Sequence, residues 1–147
     1  MVATQGVIAK GMSFKVGDGG TPTEVFTAIA DVTSIKISGR QADEIEFTHL
    51  LSDMKEFKPG FVDPGSIALS LQFNPAIATH DSATGVESWL ASGAMKNFKV
   101  VFPSTVGKTL SGVGFVKSNE ISGEASGKIT GECTFRLSGL TTWGDSA

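Results

Sequence analysis

Between residues 66 and 73, large apolar side chains alternate without a break with small or polar ones. Ile67, Leu69, Leu71 and Phe73 fall on one side, and Ser66, Ala68, Ser70 and Gln72 on the other. A helix, with its repeat of 3.6, would spread these residues around its axis. A strand with one buried face keeps the two sets apart. Such a half-wet strand belongs to an antiparallel sheet rather than to an all-parallel one covered on both faces. The run is preceded by Pro59-Gly60 and Pro64-Gly65, two turn-forming pairs.

The same period recurs along the chain. Residues 12–16 read as a short first strand, ended by the Gly17-Asp18-Gly19-Gly20 turn. Residues 24–37 form a long β-rich run whose apolar parity slips near Asp31, and one extra residue in a bulge accounts for such a slip. Residues 43–49, 97–102, 108–117 and 128–138 alternate as well. Asn74 as N-cap and Pro75 at the first helical position open a helix over 76–92, with Gly85 as a point where it breaks and Gly93 as its stop. About seven strands with short turns and one helix predict a mainly β chain, an antiparallel β-sandwich or barrel with one flanking α-helix.

A chain of 147 residues is expected to form one domain spanning 1–147, large enough for a core without metal or disulfide. Cys133 falls on an apolar parity and reads as a small buried hydrophobe. The first dozen residues lack the charged and then apolar pattern of a secretory signal, and no apolar run is long enough to span a bilayer. A net charge of −3 speaks against binding nucleic acid through its phosphates.

No constellation carries chemistry. His49 and His80 lie far apart in sequence with no ligand trio or activated nucleophile beside them. The Gly17–Gly20 segment lacks the Lys-Ser/Thr and the helix that a phosphate loop needs. Glu44 and Glu46 share a strand face, whereas catalytic carboxylates face one another across a cleft. They read as a solvated acidic face, joined by Glu132. No catalytic residue, metal ligand or cofactor is expected. Residues 50–65 are the opposite case, a long loop or loose hairpin bearing Leu50, Leu51, Met54, Phe57, Phe61 and Val62. A disordered linker is not so apolar, so this segment needs a partner surface.

Four stretches, in this order, resemble the major tail tube protein of long flexible-tailed bacteriophages: SFKVGDGGTPTEVFTAIADVTSI, EFKPGFVDPGSIALSLQFNP, HDSATGVESWLASG with NFKVVFP, and SGVGFVKSNEISGEASGKITGECTFRLSG. The resemblance implies a structural virion protein without enzymatic activity. Its subunits would close into homo-hexameric rings that stack into a tube, through which DNA passes without specific binding. It implies tape measure and tail-end proteins as further partners, a place in the virion tail, and the host cytoplasm before assembly. On this reading residues 50–65 bridge subunits, and Glu44, Glu46 and Glu132 are candidates to line the channel. Residues 1–11 form an N-terminal arm and 141–147 a C-terminal tail. A secretion-type tube or tail-end ring protein of the same fold is the alternative, and a monomeric β-sandwich binding module the next.

Overall fold

Strands far apart in sequence pair with one another in the computed structural model, which describes residues 6–19 and 23–145. In chain order the elements are β1 (Ser13–Gly17), β2 (Phe26–Ala28), β3 (Val32–Ser38), β4 (Gln41–Glu46), β5 (Phe57–Asp63), β6 (Ser66–Leu71), α1 (Val86–Ser92), β7 (Lys96–Val101), β8 (Lys108–Ser122) and β9 (Thr130–Asp145). Seven strands make one antiparallel sheet in the order β2-β1-β7-β8-β9-β6-β3, and β4 pairs with β5 in a separate hairpin.

The large sheet folds over on itself along β8 and β9. These strands are 15 and 16 residues long, and their register shifts twice, between Ser111 and Val113 and between Val116 and Ser118. Each shift adds twist and bend. Gly114 sits in this bend because a Cβ there would come within 2.7 Å of the Arg136 carbonyl oxygen. Up to Gly114, β8 has β7 beside it; from residue 115 onward it pairs with β9 alone. One half of the sandwich is therefore β2, β1, β7, the start of β8 and the end of β9. The other is the end of β8, the start of β9, β6 and β3. The halves meet face to face at Phe14 of β1, whose ring lies 5.7 Å from Phe98 of β7 and 4.8 Å from Phe135 of β9.

The alternation that predicts β6 is reproduced in its burial. Ile67, Leu69, Leu71 and Phe73 lie in the core with Val100, Leu110, Val116, Cys133 and Leu137, while Ser66, Ala68 and Ser70 face outward. Burial first, and Glu87 second, push the Cys133 thiol up to about 12. The helix α1 closes one flank, with Val86 fully buried, Trp89 6.3 Å from Phe135, and Glu87 accepting a hydrogen bond from the Asn119 side chain of β8.

Three expectations need correction. The run 24–37 is not one strand: at Asp31, whose φ is 58°, the chain turns, and β2 and β3 end up on opposite edges of the sheet, although the expected irregularity is present as a register shift between Val32 and Ser34. The helix covers only the second half of 76–92. Before it, side chains hold a compact run of turns. Asn74 Oδ1 accepts the Ala76 N–H, and Asp81 Oδ1 accepts those of Ala83, Thr84 and Gly85. These bonds, the Thr84 one foremost, hold the Asp81 carboxyl below its ordinary value. His80 is wholly buried there, stacked on Phe73, with Nδ1 accepting from Asn74 N–H and Nε2 donating to the Ala30 carbonyl. Helix begins only at Val86, after an extended N-cap at Gly85, where any Cβ would strike the Asp81 nitrogen at 2.4 Å. Finally, the expected tail from Thr141 is part of β9 through Asp145, where Lys108 pairs with the Asp145 carboxylate. Residues 146–147 and 1–5 of the expected tail and arm lie outside the described residues.

Candidate functional site

The hairpin of β4 and β5 gathers the apolar residues that the sequence singles out. Its strands pair only with each other, and all of β4 is exposed. Leu50 is 104%, Leu51 89%, Met54 83%, Phe61 89%, Val62 70% and Phe57 52% exposed. Ile45 and Phe47 are about half exposed and enlarge the patch. So many large apolar side chains exposed on one element are unusual for the surface of an isolated domain. The expected loose hairpin is thus a true β-ribbon, with Pro59 tolerated because β5 has a partner on one side only.

The base of the ribbon is fixed and its tip is not. Arg136 of β9 donates to the Asp63 carboxylate at 2.9 Å and to the Gly65 carbonyl at 3.2 Å. That hydrogen bond, and after it the Gly65 N–H, hold the Asp63 carboxyl below its ordinary value. Gly65 takes φ +88°, and a Cβ there would lie 2.3 Å from the Ser38 carbonyl oxygen. At the far end, Ser52 and Glu56 close the turn through their side chains, and His49 stands 3.4 Å from Glu56. The tip therefore has local bonds only.

The three acids do not share a surface. Glu44 and Glu46 lie on the ribbon, opposite Pro59 and Phe57 respectively. Glu132 lies on β9 in the second half of the sandwich, directly across from Glu120 of β8 and next to Ser70 of β6. Parity tells which side of a strand a residue takes, and it cannot tell which sheet the strand joins. The polar face around Glu132 also carries Ser34, Thr134 and, on the edge strand, Lys36.

Two features escaped the sequence reading. The first is a pair of strand edges in the second half of the sandwich. β3 has β6 on one side only, and residues 115–122 of β8 have β9 on one side only. The second is a cationic pair on the first half. Lys15 of β1 stands directly opposite Lys99 of β7, and the Lys99 ammonium lies 4.1 Å from the Phe26 ring centre. Both depend on pairings between residues distant in sequence, which single-strand periodicity does not report. Among the described residues no cluster of His, Cys, Asp or Glu has the geometry of a metal site, and no helix is long and apolar enough to cross a membrane.

No curated protein sequence matches the chain. Solved structures do match its fold. The tail of an empty gene transfer agent particle, refined with C6 symmetry, aligns at a TM-score of 0.74 with 21% identity, covering 97% of this chain and 100% of that one. A sheath/tube terminator of an extracellular contractile injection system aligns at 0.72 with 16% identity, covering 97% and 99%. The SPP1 tail tube aligns at 0.67 with 15% identity, covering 92% and 77%. Likeness at such identities speaks for the fold, but the sequence itself goes further. Residues 5–98 match the family model described as phage tail tube, TTP, lambda-like, and the chain therefore belongs to that family.

Proposed function

We propose that this chain is the repeating subunit of a phage tail tube, closing into six-membered rings that stack around a channel for DNA. The observation that carries the reading is the pair of single-sided strand edges at the two ends of β3-β6-β9-β8. Open edges in a globular monomer invite pairing and aggregation. Rotational symmetry satisfies both at once, because β3 of one copy meets residues 115–122 of the next and the ring closes with neither of these two edges open. The C6 symmetry of the gene transfer agent tail supports six as the number.

In such a ring the polar outer face of this half, with Glu132 and Glu120, turns inward. A polar wall bearing carboxylates repels phosphate and lets DNA slide without adhering. Glu44 and Glu46, standing on the ribbon, are assigned to contacts between subunits rather than to the wall. The ribbon, with Leu50, Leu51, Met54, Phe57, Phe61 and Val62, covers its apolar surface against a neighbouring copy. Other tail proteins, such as tape measure and tail-end proteins, follow as partners, with the subunit held in the host cytoplasm before assembly. Catalysis has no part in this role.

Sedimentation velocity and negative-stain microscopy across a concentration series, with and without purified tail tips as seeds, test the reading. Hollow tubes of uniform width are expected. A strict monomer under every condition, seeds included, would overturn it.

A further inference from the structure

Within the subunit the cationic pair Lys15 and Lys99 has one compensating contact, the Phe26 ring beneath Lys99, and no carboxylate partner among the described residues. Like charges directly opposite in an antiparallel ladder are destabilising. Among the described residues, neither lysine takes part in any ion pair, while Lys108 and Arg136 both do. The two lysines line a shallow groove of about 390 Å³ with Phe26, Val101, Trp143 and Asp145, and the Asp145 carboxylate is already paired with Lys108. With the Asp145 charge met by Lys108, the groove offers two unpaired cations beside apolar and hydroxyl-bearing side chains.

The ribbon presents the complementary pattern. Glu44 and Glu46 are two residues apart on one strand, so both carboxylates point to one face. Phe57 is paired with Glu46 and Pro59 with Glu44, so these apolar groups share that face. Neither glutamate has an ion-pair partner among the described residues. The result is two anions beside an exposed aromatic ring, on a projecting element fixed only at its base. A cation pair beside an aromatic ring lies on a separate sheet.

From this complementarity we infer that the Lys15–Lys99 groove of one copy receives the Glu44–Glu46–Phe57 face of a ribbon from a second copy. The inference rests on the tube reading and names the receptor that reading leaves open. The contact is heterologous: ribbon meets groove, not ribbon meets ribbon. Repetition therefore extends the assembly instead of ending it in a dimer. Desolvated charge pairs at such a contact fix register and exclude wrong neighbours, while Phe57 supplies buried area.

Charge exchange in the full-length chain tests the assignment. Lys15→Glu with Lys99→Glu, and separately Glu44→Lys with Glu46→Lys, should each raise the concentration needed for tubes by about tenfold or more. Both reversals in one chain should bring it back to within about threefold of the original. Circular dichroism and thermal melts identify any variant that does not fold, and neutral Gln replacements at the same four positions serve in its place. An oxidative cross-link between Glu44→Cys and Lys99→Cys chains, mixed after separate purification, gives a second readout independent of tube growth. Tubes forming normally from either reversed chain would overturn the groove assignment while leaving the tube reading intact. So would groove reversal that blocks assembly but is not rescued by ribbon reversal, which would assign the groove to a different acidic segment or tail protein. Failure of the unaltered chain to assemble, together with no cross-link, would overturn both.

Discussion

Replacing Phe57 and Phe61 together by Ala should separate folding from assembly. A Phe side chain offers about 200 Å² of apolar surface. At 52% and 89% exposure the pair leaves about 280 Å² in water in the isolated subunit. Covered by a neighbour, that area is worth about 7 kcal/mol at about 25 cal/mol per Å². The Ala methyls and incomplete coverage reduce the loss to about 4–5 kcal/mol per ribbon. Tenfold in affinity is about 1.4 kcal/mol, so the critical concentration for tubes should rise by about a thousandfold. The monomer, by contrast, loses little, since surface changes away from packed features stay within about 0.5 kcal/mol. Sedimentation over a concentration series reads the first quantity and a urea melt the second. Tubes from the double variant at the original concentration would refute the reasoning. So would a melt weakened by several kcal/mol, because the rings would then be packing within their own subunit.

Three further outcomes follow from the geometry. Cys133 is buried with its thiol pushed up to about 12, so a thiol-reactive dye at pH 8 should label it only after unfolding; rapid labelling of the native chain would contradict the core packing. Gly65→Ala meets both a left-handed backbone and the Ser38 carbonyl oxygen at 2.3 Å, and should cost about 2–4 kcal/mol in a urea melt, against near-neutrality if the ribbon base is loose. Asp63 has its folded-state pKa lowered from 3.8, so its contribution is present above that value and is lost as pH falls through the lower folded value. Asp63→Asn should therefore flatten stability against pH below about 4 and leave its slope near neutrality unchanged, as followed by acid titration of the melt.

Much of the core was legible because local periodicity decides it. Residues 66–73 could be nothing but a half-buried strand, and Cys133, Phe135 and Leu137 obey the same parity. What escaped was decided by pairing over distance. The parity slip at Asp31 looks alike whether the chain bulges within a strand or turns away to the opposite edge; only the partners, β1 for β2 and β6 for β3, distinguish the two. The half-helix before Gly85 is lost to side-chain bonds from Asn74, His80 and Asp81, each of which offers the backbone an alternative to helix. In the candidate site, the composition of residues 50–65 revealed an unpartnered apolar surface, yet Pro59 and Gly60 hid the strand that carries part of it. Glu132 and the Glu44–Glu46 pair were joined by parity and separated by topology.

The central claim is that the subunit's open strand edges are closed by its neighbours. Cryo-electron microscopy of tubes grown from the purified chain tests it most directly. The account predicts six subunits per ring and a continuous inner barrel, in which β3 of one copy forms a ladder with residues 115–122 of β8 in the next. Tubes whose inner wall leaves either edge unpaired, or whose subunits meet only through the outer face of β1 and β7, would contradict it.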